Sequence, residues 1–200
     1  MEKIILASGS PRRKELLAQI GMEFQVIKSS AEEVITKAAP EEIVMELSAQ
    51  KAENVAQAVE QGIVLGADTI VWLDGRVLGK PKDRADAFRM LNQLQGKCHS
   101  VFTGVTLIQR WEGKTQKVRS FAEETRVRVH GMSREEIESY LDTGDPFDKA
   151  GSYGIQGPFA AYVDGIEGDY NNVVGLPLAS LYQELKKFYH PQDFCPENGV

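Results

Sequence analysis

The apolar positions in the first half of the chain follow two different spacings. A short apolar run predicts a buried strand at residues 4–7, and alternating apolar positions predict a second strand at residues 24–27. Apolar residues three or four positions apart predict helices at residues 11–20 and 40–60, each opened by a proline at its first position. Such an alternation of strands and helices is typical of an α/β protein.

Between these elements and the chain centre, an apolar run ends in a carboxylate and a hydroxyl, Asp68 and Thr69. The polar end of a buried strand is where α/β proteins usually bind ligands. Asp74 and Gly75 then separate two apolar runs, a pattern that predicts a hairpin. A two-residue loop would place Thr69 opposite Lys80, although a plain surface hairpin would give the same pattern.

Longer strands are predicted in the second half. A helix is predicted after Asp83, ending at Gly96, and a strand at residues 101–111. A turn at Glu112-Gly113 leads into a returning strand that reaches Val129, and the capping box Ser133-x-x-Glu136 opens a helix to about Asp142. A glycine-rich loop at residues 145–157, a strand at residues 159–163 and a helix at residues 178–189 follow. They predict a mixed sheet with flanking helices.

No composition shift or linker divides the chain. We therefore expect one α/β domain over residues 1–190, with two lobes and a groove between them. Residues 191–200 contain prolines and an Asn-Gly pair, and they are predicted to form a disordered tail.

The composition narrows the class of protein. The chain has 200 residues, 42% hydrophobic content and a net charge of -6, which argues against general nucleic-acid or anionic-membrane binding. No apolar run approaches the ~20 residues of a membrane span. The start shows no signal peptide, and Cys98 and Cys195 are too few for a disulfide framework, so a cytoplasmic location is expected. The three histidines are scattered along the chain, which argues against a histidine-rich transition-metal site.

The first helix carries a local electrostatic conflict. Ser8 and Ser10 lie in a loop at the helix N-terminus, where free N–H groups favour an anion. Arg12 and Arg13 stand in the first helical turn, where positive charge opposes the helix dipole. A bound phosphate would resolve this conflict, with arginine as its bidentate partner. The alternative is that both arginines point into water.

Two lysines are further candidates for phosphate binding. Lys51 lies on an apolar stripe of the predicted long helix, so it either extends along the surface to water or reaches into the groove. Lys80 is the better candidate because the hairpin fixes it. The segment from Gly75 to Lys80 is not a P-loop, because the spacing is one residue short and Pro81 replaces the required serine or threonine.

Asp68 and Glu33 are the candidate carboxylates for chemistry. Carboxylates together with phosphate oxygens are the usual ligands of Mg²⁺. A carboxylate can also orient or deprotonate an attacking water. Glu33 could instead be a solvated loop acid.

The glycine-rich loop is the last candidate region. Its glycines at positions 151, 154 and 157 lack the dinucleotide-binding spacing but would let the backbone approach a flat ligand. Gln156 would offer a donor and an acceptor to the edge of a base. A plain glycine-rich turn would explain the composition equally well.

Taken together, five segments resemble the Maf family of nucleotide pyrophosphatases, in family order and over nearly the whole chain to Leu178. They are residues 7–17 (ASGSPRRKELL), 66–69 (GADT), 78–81 (LGKP), 148–157 (DKAGSYGIQG) and 168–177 (GDYNNVVGLP). Five blocks are a far more specific signal than any single short motif. The segment after about His190 does not resemble the family.

The resemblance implies hydrolysis of a nucleoside triphosphate to monophosphate and pyrophosphate with a divalent metal, Mg²⁺ or Mn²⁺. It implies a two-lobed α/β fold similar to inosine triphosphate pyrophosphatases, often as a homodimer. Asp68 matches the position of the catalytic acid, while Arg12, Thr69 and Gln156 match positions linked to substrate choice. The glutamine in Gly154-Ile155-Gln156-Gly157 is similar to the branch that acts on dTTP and UTP, including modified pyrimidine nucleotides.

The resulting hypothesis is a metal-assisted attack of water at the α-phosphorus. Phosphate oxygens would be held by Arg12, Lys51 and Lys80. Lys149 is a further candidate, able to reach either the phosphates or the carboxylates. Asp68 and Glu33 would bind the metal or the attacking water. The alternatives are a 7-methyl-GTP pyrophosphatase and a non-enzymatic nucleotide-binding regulator of septum formation, a role that the family resemblance also brings.

Overall fold

The computed structural model describes residues 3–188. Its strands are Ile4–Leu6 (β1), Phe24–Val26 (β2), Gly62–Leu73 (β3), Arg76–Leu78 (β4), Cys98–Trp111 (β5), Lys114–Val129 (β6) and Val163–Glu167 (β7). Its α-helices are Pro11–Gln19 (α1), Pro40–Ala56 (α2), Arg84–Leu94 (α3), Arg134–Asp142 (α4), Tyr170–Val174 (α5) and Leu178–Leu185 (α6). Three short 3₁₀ helices span Asp145–Asp148, Ala150–Ser152 and Pro158–Tyr162.

The strands form one mixed sheet in the order β2-β1-β3-β5-β6-β7, with β4 paired to β3. Strand β1 runs parallel to β2 and β3, and the other pairs are antiparallel. Helix α2 covers one face, where its apolar residues pack against alternate residues of β3 and β5. Residues of α1, α3, α4 and α6 pack in one core cluster on the other face. The predicted mixed α/β fold with flanking helices is confirmed.

Two glycines let α2 approach the sheet closely. A Cβ at Gly66 would overlap the carbonyl oxygen of Ser48, and a Cβ at Gly104 would overlap that of Val44. Gly104 lies directly opposite Asp68 in the pairing of β3 with β5. The backbone of α2 is therefore held against the sheet beside the strand position that carries Asp68.

The predicted Asp-Gly hairpin forms, with positive φ at Asp74 (50°) and Gly75 (78°). Its register ends earlier than expected, because β4 stops at Leu78. The next carbonyl, that of Gly79, accepts a hydrogen bond from the N–H of Gly151 at 3.0 Å instead of continuing the ladder. The expected pairing of Thr69 with Lys80 is therefore wrong, and Thr69 pairs with Thr103 of β5 instead.

Several predicted boundaries also differ. Helix α2 ends at Ala56 rather than Glu60, because the N–H groups of Ala58 and Val59 bond three residues back, to Val55 and Ala56. The strand predicted at residues 159–163 is the 3₁₀ helix Pro158–Tyr162, and β7 begins only at Val163. The last helix ends at Leu185. The predicted boundary at residue 190 and the tail at 191–200 lie outside the described residues.

Among residues 3–188, no helix has both the length and the apolar character required to cross a membrane.

Candidate active site

All the site residues predicted from the sequence line one cleft of about 890 Å³. The cleft runs from the loop before α1, across the middle of β3, to the 3₁₀ turns that follow α4. These residues are Ser8, Ser10, Arg12, Arg13, Glu33, Lys51, Asp68, Thr69, Lys80, Lys149 and Gln156. Successive side chains of β3 point to opposite faces, so Asp68 and Thr69 reach different sides of the cleft.

On the α2 side, one ammonium is shared by two carboxylates. Lys51 Nζ forms a short ion pair with Asp68 Oδ1 and a second with Glu33 Oε1 at 2.9 Å. The Lys51 and Asp68 side chains are 16% and 12% exposed, whereas that of Glu33 is 55% exposed. Lys51 therefore reaches into the cleft rather than to bulk water, and its nearest partners are the two acids.

On the α1 side, Arg13 makes hydrogen bonds only to neutral acceptors within residues 3–188. Its Nε donates to the carbonyl of Gly175 at 2.9 Å, and its other nitrogens donate to Ser8 Oγ and Thr69 Oγ1 at 3.1 Å each. Thr69 Oγ1 is itself 2.9 Å from Thr103 Oγ1. Burial lowers the pKa of Arg13, but a guanidinium stays charged near neutral pH. A rigid, positively charged fork thus lies beside the first turn of α1.

Arg12 is held differently, although it is the neighbouring residue. Its Nη1 lies 3.3 Å from Asp148 Oδ2, and Asp148 also pairs with Lys149 at 2.7 Å. Burial raises the pKa of Asp148, but the hydrogen bonds and charges of Lys149 and Arg12 outweigh it, and the net pKa is lowered. Lys149 pairs with Asp145 as well, at 3.0 Å. Arg12 and Lys149 therefore both face carboxylates in this structure.

Hydrogen bonds of Tyr140 hold the glycine-rich loop in place. Tyr140 donates to Asp145 Oδ2 at 2.6 Å and accepts from the N–H of Gly154 at 3.2 Å. Nearby, His99 Nε2 lies 2.7 Å from the hydroxyl of Tyr153, and burial lowers the pKa of His99 to about 4. His99 is therefore neutral at pH 7. These contacts hold the loop in place, while the side chain of Gln156 in the same loop remains exposed at the cleft.

Three exposed polar side chains complete the lining, namely Lys28, Lys80 and Gln156. None of the three has a hydrogen bond or ion pair within residues 3–188, so each is available to a ligand. Lys28 packs against the loop before α1, since a Cβ at Gly9 would lie 3.3 Å from its Cδ.

Sequence reasoning missed several residues of the cleft. Lys28, Asp145 and Asp148 line it but were assigned no role, and Thr103 supports Thr69. Asp148 does stand in one of the quoted family segments, directly before Lys149, and that position is the signal that could have identified it. Lys28 and Thr103 carry no comparable signal.

The donor set on the α2 side suits a cation. No group of three or more His, Cys, Asp or Glu side chains that could hold a metal occurs within the described part of the chain. Two carboxylates with open positions are, however, the usual protein share of a Mg²⁺ site that is completed by substrate phosphates. The ammonium of Lys51 between Asp68 and Glu33 shows that this point favours positive charge.

Comparisons with known proteins show which family the chain resembles. A family model described as Maf-like protein matches residues 3–188. A protein of Agathobacter rectalis named dTTP/UTP pyrophosphatase is 53% identical, over 94% of this chain and 98% of its own. A protein of Bacillus cytotoxicus with the same name is also 53% identical, over 94% of this chain and 96% of its own.

Among solved structures, the Ham1 protein of Staphylococcus aureus aligns with a TM-score of 0.52 at 17% identity, over 92% of this chain and 100% of its own. A HAM1 protein from Coxiella burnetii gives a TM-score of 0.52 at 13% identity, over 94% of this chain and 100% of its own. At such identities the likeness concerns the fold alone. The family match and the curated relatives together establish that this chain belongs to the Maf-like protein family.

Proposed function

We propose that this chain hydrolyses dTTP, UTP and modified pyrimidine nucleoside triphosphates to the monophosphate and pyrophosphate. The observation that carries the proposal is the shared ammonium of Lys51 between Asp68 and Glu33, which faces the arginine-bearing loop across one cleft. Relatives about half identical to the chain bear the name dTTP/UTP pyrophosphatase. Removal of damaged or unwanted nucleotides is the corresponding biological role.

The reaction is an attack of water on the α-phosphorus. A bond forms from the water oxygen to this phosphorus, and the bond from it to the oxygen shared with the β-phosphate breaks. Pyrophosphate leaves, and the water proton passes to a base. Arg12, Arg13 and Lys80 bind phosphate oxygens and stabilise the developing negative charge. Ser8, Ser10 and the first N–H groups of α1 add donors at the same end of the cleft.

Asp68 and Glu33 would hold a divalent cation, Mg²⁺ or Mn²⁺, together with phosphate oxygens of the substrate. When bound, such an ion polarises the phosphoryl oxygens and lowers the pKa of a coordinated water. With the two carboxylates on the cation, Lys51 would be available to bind phosphate oxygens. Asp68 has two available tasks, ligand or proton acceptor. If Asp68 is a metal ligand, Asp68→Asn raises the metal concentration needed for the half-maximal rate. If Asp68 is the proton acceptor, the same substitution changes the pH dependence of kcat.

Gln156 is the proposed selector of the base. Its exposed amide offers both a donor and an acceptor at the cleft, and the buried contacts of Tyr140 and Tyr153 hold the loop that carries it. A pyrimidine edge can pair with such an amide. A base that leaves the amide unpaired is penalised, because a desolvated polar group without a partner is costly.

The experiment that tests the proposal is pyrophosphate release from a panel of nucleoside triphosphates. The panel contains dTTP, UTP, CTP, the purine triphosphates and 7-methyl-GTP, each with Mg²⁺, Mn²⁺ or EDTA. We expect turnover of dTTP and UTP that depends on the metal, with little turnover of purines. Exchange of Gln156 for Ala should reduce the ratio of kcat/KM for dTTP over purines while leaving the metal dependence unchanged.

Other outcomes point to other functions. Turnover confined to 7-methyl-GTP would keep the hydrolase and overturn the pyrimidine assignment. Binding of nucleotide by folded protein with no turnover of any substrate would favour a regulator of septum formation.

The proposal also includes a cytoplasmic homodimer without nucleic-acid or membrane partners, and light scattering at two protein concentrations tests the dimer.

A further inference from the structure

An extended segment without regular secondary structure, residues 27–38, lies along helix α2. We call this segment the strap. It carries Glu33, and its residues Lys28, Ser29 and Ile35 line the cleft. The strap contributes little to the apolar core, because Val34 and Ile35 are 51% and 52% exposed. Polar contacts therefore have to fix its course.

Three side chains of α2 make those contacts. Glu46, Gln50 and Asn54 are spaced four residues apart, so they form one stripe along the helix. Glu46 accepts from the N–H of Thr36 at 2.8 Å and from its hydroxyl at 2.5 Å. Asn54 accepts from the N–H of Ser30 at 3.0 Å and from the hydroxyl of Ser29 at 3.1 Å. The stripe thus holds both ends of the strap.

Gln50 holds the middle of the strap through two hydrogen bonds to the backbone of Val34. Its Oε1 accepts from the N–H of Val34 at 3.0 Å, and its Nε2 donates to the carbonyl of Val34 at 2.6 Å. An amide that satisfies both backbone groups of one residue fixes its position and its orientation. Val34 directly follows Glu33, so Gln50 determines where the Glu33 carboxylate can reach.

The alternative support for Glu33 is weak. Within residues 3–188, the side chain of Glu33 pairs only with Lys51, at 2.9 Å, and it is 55% exposed. A half-exposed ion pair holds a flexible loop poorly, because solvent screens the attraction and the side chains lose rotational freedom. The two backbone hydrogen bonds of Gln50 supply the order that this ion pair lacks.

We propose that Gln50 is a positioning residue that acts through Glu33, with Glu46 and Asn54 securing the ends of the same strap. The inference rests on the proposed function, in which Glu33 faces the metal and the triphosphate. Gln50 itself touches neither. Outer groups that orient a metal-ligating carboxylate typically change metal affinity or activity by about 10- to 100-fold when they are removed.

The test compares Gln50→Leu with Gln57→Leu. Both variants replace a glutamine with leucine, within α2 at position 50 and directly after it at position 57. Gln57 is exposed, and its side chain makes no hydrogen bond within the described residues. We expect Gln50→Leu to lower kcat/KM for dTTP about tenfold and to raise the half-maximal Mn²⁺ concentration, with melting temperature unchanged. Gln50→Glu keeps the acceptor for Val34 and should restore part of the rate.

Two further measurements separate positioning from a general effect on folding. Amide hydrogen exchange at Val34, measured without metal or nucleotide, should be faster in Gln50→Leu than in wild type or Gln57→Leu. In a Glu33→Gln background, Gln50→Leu should cause no further loss, because its effect passes through Glu33. Additive losses, or unchanged exchange at Val34, would overturn the inference. Failure of the proposed function is distinguishable, since the wild type would then show no turnover while the exchange result would still stand.

Discussion

The two sides of the cleft carry opposite charge imbalances. On the α2 side, two carboxylates, Asp68 and Glu33, share the single ammonium of Lys51. On the α1 side, the guanidinium of Arg13 donates hydrogen bonds to Ser8, Thr69 and a carbonyl, and to no carboxylate among the described residues. One side therefore favours an additional cation, and the other favours an anion.

This difference indicates what kind of ligand suits the cleft. A metal ion alone would satisfy the carboxylates but would leave Arg13 without an anion. A free phosphate would satisfy Arg13 but would add negative charge near the two acids. A metal-bound polyphosphate supplies both charges at once, which is consistent with a nucleoside triphosphate substrate and the cation that accompanies it.

The largest expected effect comes from the α2 side. Asp68→Asn removes the only carboxylate of the described residues that lies on β3 within the cleft, and kcat for dTTP should fall by about a thousandfold. The fold should persist, because Lys51 keeps Glu33 as a partner. Steady-state kinetics and a thermal melt check both statements. A folded variant with full activity would exclude Asp68 from the mechanism.

The α1 side gives the next largest effect. Arg13→Lys keeps the charge but cannot reach three acceptors in a fork, so kcat/KM should fall by about 100-fold. Arg12→Lys, the matched neighbour, should lose less than about tenfold because Arg12 makes one ion pair at the surface. Equal losses in the two variants would contradict the distinction drawn between these arginines.

A third variant separates the two sides by moving the helix. Gly104→Ala forces α2 away from the sheet beside Asp68, and we expect about 2 kcal/mol lower free energy of unfolding in urea. Its kcat should fall because α2 carries Lys51. Gly131→Ala is the control, since a Cβ there meets only ordinary contact with Gln95 at 3.7 Å. Pyrophosphate binding without metal, which depends on the α1 side, should change little.

The smallest expected effect tests the carboxylate that faces Arg12. Asp148→Asn leaves Arg12 without its acidic partner, so pyrophosphate should bind about two- to fivefold more tightly at low salt. The gain should shrink at high ionic strength, since salt screens exposed charges. Titration calorimetry at two salt concentrations measures it. Weaker binding in the variant would show that Asp148 itself contributes to ligand binding.

Local signals predicted those elements that depend on neighbouring residues. The capping box at Ser133 predicted the start of helix α4, and the Asp74-Gly75 pair predicted the hairpin loop. Elements that depend on distant contacts were missed. Helix α5 has only five residues, and its Asn172 bonds to the carbonyl of Val101 and to Thr125. No spacing within the segment itself signals such a helix.

The candidate site shows the same contrast between what local sequence signals predict and what distant contacts determine. Residue types and family segments identified the residues that line the cleft, but they could not say which of them meet. Arg12 and Arg13 looked equivalent in the sequence, and only the fold distinguishes them, since their partners lie 136 and 162 positions away. The location of Glu33 depends on the strap, whose hydrogen bonds to α2 link residues 10 to 25 positions apart.

The ammonium of Lys51 between Asp68 and Glu33 affects how the protein folds when no metal ion is bound. Adjacent carboxylates repel one another when nothing lies between them, and many metal-binding domains fold only once their ion arrives. Here a covalently attached cation relieves that repulsion from the start. The chain is therefore expected to fold without a metal ion, and under the proposed function chelation should stop turnover without lowering the melting temperature.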